Sequence, residues 1–210
     1  MTDKQNPFWD RAEKGKQMEK DHSPTIEYML QTLNLDNDAR VLEVGCGNGW
    51  FLRKLASSLS YGLGIDRSQV MIDSARELSK GFGNLVFRVD ELGSLSNEEV
   101  YRTATFDSIV GVEAIYWTPV QNNLNQFYRI LRNGGRLGLT VESHKENEDA
   151  HGWSEQVGQP IHLHSAKEYE EMLRLAGFKD IKVDKYFTPL ERATETFQHR
   201  YSTLVITASK

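Results

Sequence analysis

The chain has 210 residues, a net charge of −5, a single cysteine and an ordinary 39% of hydrophobic residues, which suits one α/β domain with a sizeable core and excludes a disordered or membrane-embedded chain. No apolar run approaches the roughly 20 residues that span a bilayer, and the acidic balance argues against nucleic acid as a partner, since that binding rests on Lys and Arg neutralising phosphates. The polar opening Met1-Thr2-Asp3-Lys4-Gln5-Asn6 lacks a signal peptide's apolar segment, and the lone Cys46 precludes an intrachain disulfide, so a reducing cytoplasm is expected.

In chain order, residues 7–20 set Phe8, Trp9 and Ala12 among charges, a weakly amphipathic helix that either packs its aromatics on the domain surface or closes as a lid. Ser23-Pro24 reads as an N-cap with proline at the first helical position. Ile26, Met29, Leu30 and Leu33 mark one face of the helix that follows, ending near Asn34. The expected division is a helical N-terminal segment at 1–35 and the main domain at 36–210.

From there strand and helix alternate with short connections, which implies a parallel sheet covered on both faces. Strands are expected at 40–44, 61–65, 85–89, 106–112 and 136–141. Leu52, Leu55, Ala56 and Leu59 follow helical spacing. Ser68 caps a helix with Met71, Ala75 and Leu78 inward, and Pro119 opens one with Val120, Leu124, Phe127 and Leu131 inward, closed by Asn133-Gly134-Gly135. Residues 143–164 are polar and patternless, a long connection of the kind that is often functional. Ser165-x-x-Glu168 is a capping box for a helix with Tyr169, Met172, Leu173 and Ala176 on its apolar face, stopped by Gly177. Strands at 178–187 and 201–208 close the chain, separated by a polar excursion at 188–200.

The most informative stretch is Val41-Leu42-Glu43-Val44-Gly45-Cys46-Gly47-Asn48-Gly49-Trp50. A buried strand breaks into glycines and turns into a helix, the form of a nucleotide-type binding loop. A dinucleotide loop reads G-x-G-x-x-G; here the third glycine comes one position early. In an open parallel sheet ligands bind at the carboxyl ends of the strands, so the residues after each strand carry the argument. Asp66, after the second strand, could accept hydrogen bonds from both hydroxyls of a ribose. Asp90-Glu91, after the third, could meet an exocyclic amine. Gly111 to Trp117 end the fourth. A strand-end Asp alone reads equally well as a turn cap; two in register with the glycine loop favour binding.

Glu43 to Gly49, Gly64-Ile65-Asp66, Val89-Asp90 and Phe106 to Val110 together resemble the successive motifs of class I S-adenosylmethionine-dependent methyltransferases. Arg129-Ile130-Leu131-Arg132-Asn133-Gly134-Gly135-Arg136-Leu137 is similar to the R-x-L-x-P-G-G signature of their small-molecule branch, which includes the ubiquinone/menaquinone-biosynthesis type, with Asn133 in place of proline. The resemblance implies a three-layer Rossmann-like α/β sandwich around a mostly parallel seven-stranded sheet of order 3-2-1-4-5-7-6, one strand antiparallel. It implies S-adenosylmethionine as cofactor, with Gly45, Cys46, Gly47 and Gly49 along its methionine and ribose, and Glu43 behind the loop. Asp66 and Arg67 would lie at the ribose, Asp90 and Glu91 at the adenine, and Gly111 at the end of the fourth strand. The acceptor would be a small molecule rather than nucleic acid: the Asp/Asn/Ser-Pro-Pro-Tyr/Phe tetrapeptide of DNA amino-methyltransferases is replaced by Glu113-Ala114-Ile115-Tyr116.

Methyl transfer from a sulfonium is an in-line displacement and draws on positioning, with a base where the nucleophile carries a proton. His144, Tyr116 and Glu113 are the candidates for the acceptor side, Tyr116 and Trp117 as walls and His144 or Glu113 as base; the alternatives are plain packing for the two rings, a structural or exposed role for His144 and a solvent-facing Glu113. His162-x-His164 with His144 and His151 raises a metal site, but no third ligand is identifiable and none is assigned. Cys46 reads as a small packed side chain. The rival readings are a nucleotide-dependent oxidoreductase and a cofactor-binding protein without chemistry.

Overall fold

The computed structural model describes residues 15–95, 99–102, 105–187 and 202–210. The segment 7–14 with its lid residues Phe8 and Trp9, and the excursion at 188–200, lie outside the described residues. Seven strands form one sheet: β1 (Ala39–Val44), β2 (Leu59–Asp66), β3 (Leu85–Val89), β4 (Phe106–Val112), β5 (Leu131–Val141), β6 (Lys179–Phe187) and β7 (Ser202–Ser209). Their spatial order is 3-2-1-4-5-7-6. β1 to β5 run parallel, and β7 enters antiparallel between β5 and β6, as the resemblance implied.

The helices are α1 (Gly15–Leu33), α2 (Trp50–Leu55), α3 (Gln69–Leu78), α4 (Val120–Ile130), α5 (Trp153–Val157) and α6 (Ala166–Ala176). Successive residues of a strand face opposite sides, so β1 feeds two cores. Val41 packs with Ile26, Met29 and Leu33 of α1, Phe51 and Leu52 of α2, and Ile72 and Ala75 of α3. Leu42 and Val44 face the other way, into Leu124, Phe127 and Ile130 of α4 and Tyr169 and Leu173 of α6. Among the described residues no helix is long and apolar enough to cross a membrane.

Several boundaries differ from the sequence expectation. The first helix begins at Gly15 rather than at Ser23, and Pro24 lies inside it. Pro24, itself buried, has no N–H to give the exposed Lys20's carbonyl, while the Ser23 hydroxyl donates to the Glu19 carbonyl at 2.7 Å. Leu59 opens β2 instead of closing a helix, because a 3₁₀ turn at Ala56–Ser58 ends the short α2. Leu131 is already extended (ψ 140°) and pairs with Phe106 as the first residue of β5. Leu78 is 53% exposed, because the inner stripe of α3 is Met71, Ile72 and Ala75 and residue 78 is rotated off it. The 143–164 connection is not patternless throughout: it contains a 3₁₀ turn at Glu148–Ala150 and α5. The capping box forms as read, with the Ser165 hydroxyl accepting from the Glu168 amide at 3.1 Å and the Glu168 carboxylate accepting from the Ser165 amide at 2.7 Å.

Candidate active site

The carboxyl ends of β1, β2, β3, β4 and β5 meet along one edge of the sheet. After β1 the chain turns on Gly45 at φ +69° and Gly47 at φ +50°. A side chain at Gly45 would place its Cβ 2.4 Å from the Ala114 Cβ, so the β1 loop and the β4 loop touch there. A Cβ at Gly47 would meet nothing within 4 Å, which leaves that backbone open to a ligand.

Asp66 ties the loop to the end of β2. One of its carboxylate oxygens accepts from the Gly47 amide and the other from the Ser68 amide, both at 2.9 Å. The Ser68 hydroxyl in turn caps α3 by accepting from the Met71 amide at 3.1 Å. Arg67 and Glu91 form an ion pair at 3.6 Å that spans the ends of β2 and β3.

Asp90 is more fully engaged than its sequence position suggested. Its oxygens accept from the Glu91 amide at 2.9 Å, the Ser94 hydroxyl at 3.2 Å and the Tyr101 hydroxyl at 2.7 Å. Arg129, the first residue of the Arg129–Leu137 motif, reaches the same loop from α4. It donates to the carbonyls of Tyr101 at 2.7 Å and Leu95 at 2.8 Å. That arginine therefore holds the segment that holds Asp90.

Glu43 lies under the glycine loop at 2% exposure, with Oε2 unpartnered among the described residues. Burial, and then the nearby Asp66 charge, hold its carboxyl well above the usual range, while the Leu52 amide opposes that shift. Cys46 is buried beside it, and burial pushes its thiol up. Gly111 pairs with Val44 and Leu139 in the middle of the sheet, where an added Cβ would sit 3.0 Å from both side chains.

Of the residues expected to face an acceptor, Glu113 and Tyr116 follow β4 and His144 follows β5. Glu113 Oε2 accepts from the Glu142 amide at 2.6 Å. The Tyr116 ring is buried and lies 5.3 Å from the Trp117 ring; burial and then the Glu113 and Glu142 charges push its phenol well up. His144 is fully buried. Its Nδ1 is 3.0 Å from Glu146 Oε2 and its Nε2 is 3.0 Å from the Ser202 carbonyl, on the first residue of β7. Glu146 Oε1 accepts from the Ala166 amide at 3.0 Å, so His144 joins the end of β5 to β7 and to the start of α6. His151 Nε2 is 2.8 Å from the Lys145 carbonyl.

Two residues not singled out in the sequence belong to this region. His22 of α1, Glu113 and Glu142 bring their ligand-type atoms within 4.8 Å of one another. Burial and then the Glu113 charge push the Glu142 carboxyl up to about 8. Glu142 was legible as the residue that follows β5, by the same strand-end logic that picked Asp66 and Asp90. His22 was legible once α1 is started earlier, since positions 22, 26, 29 and 33 fall on one helical stripe.

A sequence profile described as a methyltransferase domain matches residues 15–183. Phosphoethanolamine N-methyltransferase 1 of Zea mays is 28% identical over 184 residues, covering 83% of this chain and 36% of that protein. The chain spans less than half the length of the first curated relatives it matches. Among solved structures, a chain in the complex between the Haloferax volcanii Trm112 methyltransferase activator and a methyltransferase superposes with a TM-score of 0.81 at 24% identity, covering 97% of this chain and 98% of that one. Haemonchus contortus phosphoethanolamine N-methyltransferase 2, solved with S-adenosyl-L-methionine, superposes with a TM-score of 0.71 at 19% identity, over 89% of this chain and 52% of that one.

Proposed function

The chain belongs to the methyltransferase-domain family, and from that premise we propose that it transfers the methyl group of S-adenosylmethionine to a small-molecule acceptor held beyond β4 and β5. The observation that carries the reading is the Asp66 carboxylate, which braces Gly47 and Ser68 at the mouth of an open glycine loop. A carboxylate is an acceptor-only group, the kind of group to which ribose hydroxyls donate.

In this reading Gly45, Gly47 and Gly49 lie along the methionine and ribose of the cofactor, with Glu43 and Cys46 packed behind them. Arg67 and Glu91 border the ribose and adenine, and Asp90 shapes the adenine loop through Tyr101. Gly111 keeps the end of β4 flush with its neighbours so that this loop lies against Gly45. Holding nucleophile, methyl and sulfur collinear supplies the main part of the rate. Glu113 rather than His144 borders the acceptor, because Ala114 beside it packs on Gly45 whereas both His144 nitrogens are engaged elsewhere. Tyr116, kept protonated by its surroundings, serves as a wall.

The small-molecule branch of the family is proposed on the Arg129–Leu137 signature, with no choice between ubiquinone-type and other acceptors. A buried lone Cys46 suits a cytoplasmic setting. The test is calorimetric titration with S-adenosylhomocysteine, with NADH as comparison ligand, followed by a labelled-methyl screen of small acceptors. Micromolar binding of S-adenosylhomocysteine together with methylation of an acceptor supports the reading. Binding of NADH alone overturns the cofactor; binding of S-adenosylhomocysteine without turnover on any acceptor favours a cofactor-binding protein.

A further inference from the structure

We propose that His22, Glu113 and Glu142 form a site for a divalent first-row cation of the Mn²⁺, Fe²⁺ or Zn²⁺ type, at the carboxyl ends of β4 and β5. The three side chains come from α1 and from the residues that follow β4 and β5, segments far apart in sequence that the fold brings together. Their ligand-type atoms lie within 4.8 Å of one another. Ligands on one ion with bonds of about 2.0–2.2 Å stand roughly 3–4.4 Å apart, so a small inward movement of the side chains closes the set.

The electrostatics call for a cation. The Glu142 amide fixes Glu113 through Oε2 at 2.6 Å, and among the described residues the buried Oε1 has no hydrogen-bond partner. Among the described residues no Lys or Arg forms an ion pair with Glu113 or Glu142, so none of these supplies the two carboxyl groups with a counter-charge. A buried polar atom without a partner calls for an explanation, an ion among them.

A second buried group feels the Glu113 charge. The Tyr169 side chain is fully buried, its hydroxyl has no hydrogen-bond partner among the described residues, and burial and then the Glu113 charge push its phenol up.

The donor chemistry narrows the ion. One imidazole and two carboxylates suit Mn²⁺, Fe²⁺ or Zn²⁺; Ca²⁺ takes about 6–8 oxygens and Mg²⁺ favours oxygen donors and water. Three protein ligands leave positions open, the mark of a site that handles a substrate.

Glu113 adjoins Ala114, which packs on Gly45, so the site borders the glycine loop. The role of the ion, though not its binding, rests on the methyl-transfer reading. An acceptor oxygen bound to the ion gives its proton to solvent more readily. That oxygen then forms the bond to the methyl carbon as the carbon–sulfur bond of the sulfonium breaks, leaving a neutral thioether.

The experiment is titration of the chelator-stripped full chain with manganese(II) chloride, followed by the loss of the free-ion electron paramagnetic resonance signal and by calorimetry with zinc(II) as a second probe. The expected result is one ion per chain, with affinity lowered about tenfold or more in Glu142→Gln and in His22→Gln. Titration of each variant with S-adenosylhomocysteine confirms an intact fold. Absence of binding at about 1 mM metal, or binding unchanged in both folded variants, overturns the site. Metal binding by a wild-type chain that does not bind S-adenosylhomocysteine upholds the site and overturns the methyl-transfer reading.

Discussion

The Asp66 carboxylate accepts the Gly47 amide across 2.9 Å and so joins the end of β2 to the loop that follows β1. This one side chain organises the loop and presents acceptor oxygens at its mouth. Asp66→Ala removes both roles. Hydrogen bonds to a charged group contribute about 1.5–3 kcal/mol each, so S-adenosylhomocysteine affinity is expected to fall on the order of 100-fold. Asp66→Asn, which keeps one acceptor oxygen, is expected to fall in between. Calorimetry on the two variants checks this; affinity within about twofold of wild type for the Ala variant would remove Asp66 from the site.

Gly45 and Ala114 give a test of how the two loops fit. A Cβ at residue 45 would lie 2.4 Å from the Ala114 Cβ, at a backbone φ of +69°. Gly45→Ala is therefore expected to destabilise by about 2–4 kcal/mol, from overpacking and a left-handed non-glycine residue together. For a chain of this size that lowers Tm by roughly 4–16 °C. Adding Ala114→Gly relieves the clash but not the backbone strain, so the double variant should recover part of the loss. Thermal melts of the four proteins measure the coupling, and simple additivity would mean that the loops separate at little cost.

The glycine spacing, the strand ends and the capping box at Ser165 were legible in the sequence because each is local: a few residues at fixed offsets decide a turn, a cap or a strand terminus. What escaped was decided at long range. Ser23-Pro24 has the local form of a helix start, yet α1 already runs from Gly15 and carries Pro24 inside it. That hid His22, whose significance appears only beside Glu113 and Glu142. His144 follows a strand as a catalytic base could, but Ser202, far along the chain, occupies its Nε2 side. Asp90 looked like a ligand residue from its register, and its engagement by Tyr101 depends on Arg129 of α4.

His144 is expected to matter for stability and not for chemistry. Its ring sits between Glu146 and the Ser202 carbonyl with no exposure. Replacing it leaves those groups without their partner, at about 1–3 kcal/mol. His144→Gln should therefore melt at lower temperature, roughly 2–4 °C for each kcal/mol lost. Its S-adenosylhomocysteine affinity should stay within about twofold, and turnover should keep its pH profile. A folded variant that loses catalysis by about 100-fold or more, the scale of a general base, would return His144 to the reaction.

Glu43 carries a pH signature. Its folded-state carboxyl is held well above the usual value, first by burial and then by Asp66. The folded chain therefore favours the protonated form more than the unfolded chain does. That preference contributes in full below the unfolded carboxyl value of about 4.3 and is lost as pH rises through the raised folded value. Glu43→Gln keeps the size of the side chain and removes the charge that burial penalises. In the cofactor-free protein it is expected to raise stability at pH 8 by on the order of 1 kcal/mol, about 2–4 °C in Tm, with the gain shrinking towards zero near pH 4. Melts of both proteins across that range decide it: a gain independent of pH would assign the effect to packing, and a loss at pH 8 would mean that the buried charge is compensated within the loop.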